Sequence, residues 1–272
     1  MAVLSDYHLH SSFSGDSDTP MESMIEKGIS LGLKNMCFTE HMDMDYIYVR
    51  EEDAGMFDLN TASYFLDLIK FKEKYKEKIN IHFGVELGLQ PHISKELSEY
   101  VKKYNFDFII GSSHTCNRKD PYFPYFYEGR PEEEAYREYF SSILDNLKAF
   151  HDFDVYGHLD YVVRYGPDRD KNYSYDKYKD ILDRILTYLI DLEKGIEINT
   201  GGISYGLKEL NPCTGIVRRY RELGGEIITI GSDAHIPDRI GKDFPRAAHI
   251  LKECGFEYYT IFAGRRPEYV KL

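Results

Sequence analysis

Two hydrophobic periods alternate along this chain. Short runs rich in β-branched and aromatic residues read as strands: AVLSDYH (2–8), NMCFTEH (35–41), INIHFGVELG (79–88), FDFIIGSSH (106–114), FDVYGHLD (153–160), GIEINT (195–200) and EIITIGSDAH (226–235). An eighth run, YYTIFAG (258–264), is a further candidate strand. Between them lie MESMIEKGISLGL (21–33), ASYFLDLIKFKEKYKEK (62–78), EEAYREYFSSILDNLKAF (133–150) and KYKDILDRILTYLIDLEK (177–194). Their apolar residues recur at intervals of three and four, the period of a helix with one buried face. Pro20 suits the first turn of the first helix and Gly32 its end. Strand and helix in alternation predict an α/β fold, a parallel sheet or barrel with covering helices. No internal repeat, low-complexity tract or Pro/Gly/Ser-rich linker divides the sequence, so residues 1–272 are expected to form one domain.

Three loops are long: MDMDYIYVREEDAGMFDLN (42–60), CNRKDPYFPYFYEGRP (116–131) and RYGPDRDKNYS (164–174). Each follows a strand rather than a helix, and lengthened loops in that position usually build a site.

Composition narrows the function. The 272 residues, 42% hydrophobic, can fill a barrel-sized core. A net charge of -12, from 46 acids against 34 bases, disfavours binding to nucleic acid, so an anionic substrate must be held locally. Cys37, Cys116, Cys213 and Cys254 lie far apart with no CxxC pair, which argues against a disulfide framework and a zinc-thiolate site and suits a reducing cytoplasm. Cys37 and Cys116 are expected to be packing residues. No signal segment and no apolar run of about 18 residues is evident, so a cytoplasmic protein without a membrane partner is expected.

The histidines carry the chemistry. Of ten, six stand at the C-terminal ends of predicted strands: His8, His10, His41, His114, His158 and His235. Glu40, Glu86 and Asp233 occupy equivalent places, and Asp160 follows just after. In a closed parallel barrel those ends converge on one face, where such enzymes assemble their active sites. Residues i and i+2 of a strand point to the same side, so His8 and His10 can chelate one ion together. Imidazole with carboxylate suits zinc, manganese or iron better than calcium or magnesium. His82, His92, His151 and His249 fall elsewhere and read as structural.

The motifs DYHLHS, FTEH, GVELG, FDFIIGSSH, YGHLDYVVRY, IEINTGG and IGSDAH, in this order, resemble the PHP (polymerase and histidinol phosphatase) family, and within it the histidinol-phosphate phosphatase branch. The resemblance runs over nearly the whole chain. It implies a distorted TIM-like (β/α)7 barrel with two to three divalent metal ions at its C-terminal mouth. Carried onto this sequence, His8, His10, Glu86 and Asp233 would hold the first ion. Glu86 as a bridge, with His114 and His158, would hold the second, and His41 with His235 the third. Where many members supply a further histidine to the third ion, this chain has Asp16, which resembles the phosphatase branch and makes that site more anionic.

Two ions about 3.5–4 Å apart can activate a bridging hydroxide and place it in line with a phosphorus atom. Ser12 and Ser112 sit in no G-x-S-x-G elbow and are expected to be supporting residues rather than nucleophiles. Glu86, Asp160 and Arg164 are the candidate catalytic groups, with Asp160 placed to stabilise a departing alkoxide. Arg164, Arg118, and Arg265 or Arg266 are candidate phosphate forks. Asn199 and Asp43 complete the candidate substrate contacts, Asp43 or Asp160 meeting a cationic leaving group. The branch implies hydrolysis of L-histidinol phosphate, a small-molecule monoester. A nucleotide phosphatase or exonuclease, a phosphotyrosyl-protein phosphatase and a non-catalytic metal-stabilised module are the alternatives.

Overall fold

The computed structural model describes residues 3–272; Ala2, which begins the AVLSDYH run, lies outside the described residues. The chain alternates β1 (Ser5–Leu9), α1 (Met21–Ser30), β2 (Asn35–Met42), α2 (Thr61–Tyr75), β3 (Asn80–Gly88), α3 (Ser94–Val101), β4 (Phe108–Ser112) and α4 (Glu132–Ala149). It continues through β5 (Val155–Tyr156), α5 (Lys179–Asp191), β6 (Gly195–Asn199), α6 (Thr214–Glu222), β7 (Ile228–Gly231) and α7 (Phe244–Glu253). Each helix lays an apolar stripe on the sheet, as in α1, whose Met21, Met24, Ile25 and Gly28 are buried at intervals of three, one and three.

β1 to β7 pair in sequence order, all parallel. The first and last strands then meet: Asp233 N donates to His8 O at 2.9 Å and His10 N to Ala234 O at 3.0 Å. The result is a nearly closed, distorted TIM-like (β/α)7 barrel. Its strands are buried on both faces, which is why they read as near-continuous apolar runs.

The eighth run is a strand but not a barrel stave. β8 (Tyr258–Ala263) pairs antiparallel with β9 (Arg266–Lys271) in a separate hairpin. This hairpin closes the end of the barrel where the strands begin: Tyr7 Oη donates to Phe262 O at 2.9 Å, and Phe108 packs against both rings. Among the described residues, no helix is long and apolar enough to cross a membrane.

Candidate metal centre and active site

Glu86 stands near the C-terminal end of β3, directly opposite His41 in β2, and is fully buried. Its two carboxylate oxygens face different partners. Oε2 lies 3.1 Å from His8 Nε2, 3.5 Å from His10 Nε2 and 3.1 Å from His41 Nδ1. Oε1 lies 3.1 Å from His114 Nε2 and 2.9 Å from His158 Nε2, and accepts a hydrogen bond from Ser112 Oγ at 2.6 Å. Asp233 Oδ1 is 3.6 Å from Nε2 of both His8 and His10. Asp16 Oδ2 approaches His235 Nε2 at 3.1 Å and His41 Nε2 at 3.6 Å.

Three or more ligand atoms gather within one ion's reach in four overlapping groups: His8, His10 and Asp233; His8, Glu86 and His158; His41, Glu86 and His114; and His10, His41 and His235. Eight of the nine residues expected to hold metal fall in these groups, and the ninth, Asp16, touches His41 and His235, although their sequence positions span 8 to 235. The cluster also passes a test of fit. His10 Nε2 and His158 Nδ1 are buried without a hydrogen-bond partner, and His41 Nδ1 and His235 Nε2 meet carboxylate oxygens at 3.1 Å without forming a hydrogen bond, a costly arrangement unless something else satisfies them. Their imidazole and carboxylate chemistry suits divalent transition ions.

The electrostatics keep the carboxylates ionised and divide the histidines. Burial by itself would raise the pKa of Glu86, but His8, His114 and His41 hold it well below the usual carboxylate range. Asp233 is likewise held low against its burial, by His8 and Arg164. Burial pushes His158 down, and burial with His235 and His41 pushes His10 well down, so both rings favour the neutral form that ligates metal. Against their burial, neighbouring carboxylates push His8, His41 and His235 up and His114 up to about 10, so these four rings favour the protonated form while no ion competes for them.

A second layer fixes the rings, as metal-ligating histidines usually require. Glu197 Oε1 sits 2.7 Å from His8 Nδ1, and its other oxygen accepts the His158 N–H at 2.9 Å. Asp43 Oδ2 is 2.7 Å from His114 Nδ1, and Ser14 Oγ is 3.0 Å from His10 Nδ1. Glu197 and Ser14 were not singled out from the sequence. The signal lay in the glycines: a Cβ at Gly231 would fall 2.2 Å from Glu197 Oε1, and one at Gly88 would fall 2.4 Å from Asp43 Oδ1. These strand-end glycines make room for the supporting carboxylates. Asp233 itself holds a left-handed backbone (φ 56°), which non-glycine residues adopt where surrounding structure enforces it.

The other expected site residues divide. Arg164 is buried at the cluster and donates from Nε to Asn211 Oδ1, from Nη1 to Asp233 Oδ2 and from Nη2 to Asn199 Oδ1, at 2.8–2.9 Å. Asn199 therefore braces Arg164 rather than reaching for substrate. Asp160 is turned away: its oxygens accept from Asn211 Nδ2 at 2.6 Å and Cys213 N at 2.9 Å, and burial raises its pKa to about 6. It positions Asn211, and through it Arg164, instead of meeting an alkoxide. Arg118 lies on the exposed surface, paired with Asp45. Arg265 pairs with Asp154 and Asp152 at the closed end, because the β8–β9 turn is tied to the start of β4, where Asp107 accepts from Gly264 N at 3.0 Å and Arg265 N at 2.9 Å. Glu40 points away from the ligand cluster and accepts hydrogen bonds from Ser11 and Ser14, tying down the loop after β1.

A cavity of about 500 Å³ opens on the cluster, lined by His41, His114, His158, His235, Asp16, Asp233 and Arg164. The three long loops wall it with Tyr46, Tyr48, Phe57, Tyr122, Phe123 and Tyr165. A family model described as PHP domain matches residues 6–201. The chain belongs to the PHP domain family. The matched PHP region ends just after β6; β7, with Asp233 and His235, completes the same ligand cluster beyond it.

Among relatives, the histidinol-phosphatase of Lactococcus lactis subsp. lactis (strain IL1403) is 35% identical over 263 residues, covering 96% of this chain and 95% of its own. A probable histidinol-phosphatase of Clostridium acetobutylicum is 33% identical over 263 residues, covering 96% and 97%. The crystal structure of the Lactococcus lactis histidinol phosphate phosphatase, complexed with zinc, L-histidinol and phosphate, superimposes with a TM-score of 0.87. It is 32% identical and covers 97% of this chain and 98% of that one.

Proposed function

We propose that this protein is a metal-dependent phosphomonoesterase that hydrolyses L-histidinol phosphate to L-histidinol and inorganic phosphate, a step of histidine biosynthesis. The observation that carries this reading is the Glu86 carboxylate, which faces His8, His10 and His41 with one oxygen and His114 and His158 with the other. That is the placement of a carboxylate shared between two ions, beside a cavity sized for a small molecule. Divalent ions held there supply Lewis acidity at phosphoryl oxygens and lower the pKa of a coordinated water.

The chain's own residues do the rest. Glu86 and Asp233 stay ionised and His10 and His158 neutral, while His8, His41, His114 and His235, pushed up by the carboxylates beside them, would give up their protons to bind an ion. Arg164 spends three N–H groups on Asn211, Asp233 and Asn199, leaving two at the cavity for phosphate oxygens. Asp43 and Asp120 add carboxylates to the wall that suit a cationic alcohol product, and the aromatic side chains offer faces to an imidazole ring and exclude water. Four buried free cysteines suit a reducing cytoplasm, which we infer as the location. We also infer that residues 1–272 act as one domain, since the β8–β9 hairpin packs into the barrel's closed end.

Initial rates across L-histidinol phosphate, nucleotides, bis-p-nitrophenyl phosphate and phosphotyrosine, with and without chelator, test the proposal. The highest kcat/KM is expected for histidinol phosphate, abolished by chelator. Faster turnover of any other compound contradicts the substrate.

A further inference from the structure

A second cavity, of about 360 Å³, adjoins the metal cluster on its other side. Asp16, Asp233, His235 and Tyr205 line both cavities, so the two meet at the ligands. The second differs in its cations. It carries Arg239 and Lys242, together with the hydroxyl-bearing Thr200 and Ser204. Among the described residues, neither Arg239 nor Lys242 forms an ion pair, whereas Asp238, next to Arg239, pairs with Lys27 of α1. Two unpaired cations on one short turn hold free donors for an anion.

That turn is fixed in place rather than loose. Asp6 accepts the N–H groups of Ser232 at 3.0 Å and Gly241 at 3.3 Å, bracketing the segment from both ends. The hydroxyls of Ser17 and Thr19 both donate to His235 O at 2.8 Å. Lys27 holds Asp238 at 3.1 Å. The guanidinium of Arg239 is thus carried on a rigid wall beside Asp16 and His235. The charged groups an anion would otherwise meet on this route are the carboxylates of Asp16 and Asp233.

We propose that Arg239 and Lys242 form a second oxyanion site, which takes inorganic phosphate released from the cluster on its way to solvent. The proposal rests on the phosphatase reading for the source of the phosphate, but the site's existence is testable without any ester. Free phosphate from solution and phosphate from hydrolysis share one chemistry, and two measurements separate them. Zinc-loaded protein is titrated calorimetrically with inorganic phosphate. The parent is expected to bind two phosphates per chain, and the R239A/K242A variant one, with zinc content unchanged by elemental analysis. In parallel, inhibition of p-nitrophenyl phosphate hydrolysis by added phosphate is measured. Its inhibition constant should rise at least about tenfold in the variant, the loss of two charge-assisted contacts, while KM moves less than about threefold.

Equal phosphate stoichiometry in parent and variant overturns the site. Loss of the second phosphate with an unmoved inhibition constant overturns its place on the product route. Both variant positions lie on a solvent-facing turn, and R239Q and K242Q singly, each expected to weaken the second phosphate, guard against misfolding of the double variant. Failure to hydrolyse histidinol phosphate would sink the substrate assignment and leave these outcomes readable.

Discussion

The two ends of the barrel both bury charge, and they treat it in opposite ways. At the closed end, Asp154 accepts from Ile109 N at 2.8 Å and Arg265 Nε at 2.7 Å. Asp107 accepts from Phe83 N at 2.9 Å and Gly264 N at 3.0 Å. The protein itself supplies every partner. At the mouth, six histidines crowd Glu86, Asp233 and Asp16, and four ring nitrogens find no hydrogen-bond partner. Buried polar groups cost stability unless satisfied, so the closed end reads as structure and the mouth as a place completed by ions. Barrels commonly divide stability and catalysis between their ends in this way.

Breaking the mouth at its centre should have the largest effect. Glu86→Gln keeps the volume but removes the charge shared by both imidazole sets, and should lower kcat/KM on the order of 10³-fold or more, with zinc content falling. Steady-state rates and elemental analysis check it; near-parental turnover with full zinc would refute the sharing. Next comes Arg164→Gln, expected to cost about 10²–10³-fold, because the donors left for phosphate sit in a buried site where they are strongest. Glu197→Gln loosens His8 and the His158 backbone without touching substrate, and should cost about 10–100-fold in activity or zinc affinity.

The same substitution logic at the closed end should leave catalysis alone. Arg265→Ala strands the buried Asp154 and should destabilise the fold by about 2 kcal/mol in chemical denaturation, with kcat/KM of the folded protein within about twofold. A large loss of activity there would erase the contrast between the two ends. Asp16→His should change least: the chain folds as before, and metal preference near His41 and His235 shifts toward softer ions. Activation profiles over zinc, manganese and iron that match the parent would show that Asp16 holds no metal.

What the sequence made legible follows from local periods. His8 and His10 share a face because strand residues alternate, and strand ends converge because consecutive parallel strands closed a barrel. Residues that act through a third group were hidden. Glu197 sits inside an apolar strand and meets His8 only across 189 positions of chain, with the space left by Gly231 as its one trace. Arg265 misled because it follows a strand-like run, and only the contacts of the β8–β9 turn with Asp107 and Asp154 reveal that it lies at the other end. Asp160 misled for a different reason: its proximity to His158 in sequence gave no direction for its carboxylate, which the 211–213 segment claims.

Anomalous diffraction at the zinc edge, from crystals grown with zinc and phosphate, tests the central claim most directly. At least two peaks are expected, about 3.5–4 Å apart, one on each side of the Glu86 carboxylate. A single peak, or peaks that leave one Glu86 oxygen without an ion, would contradict the account.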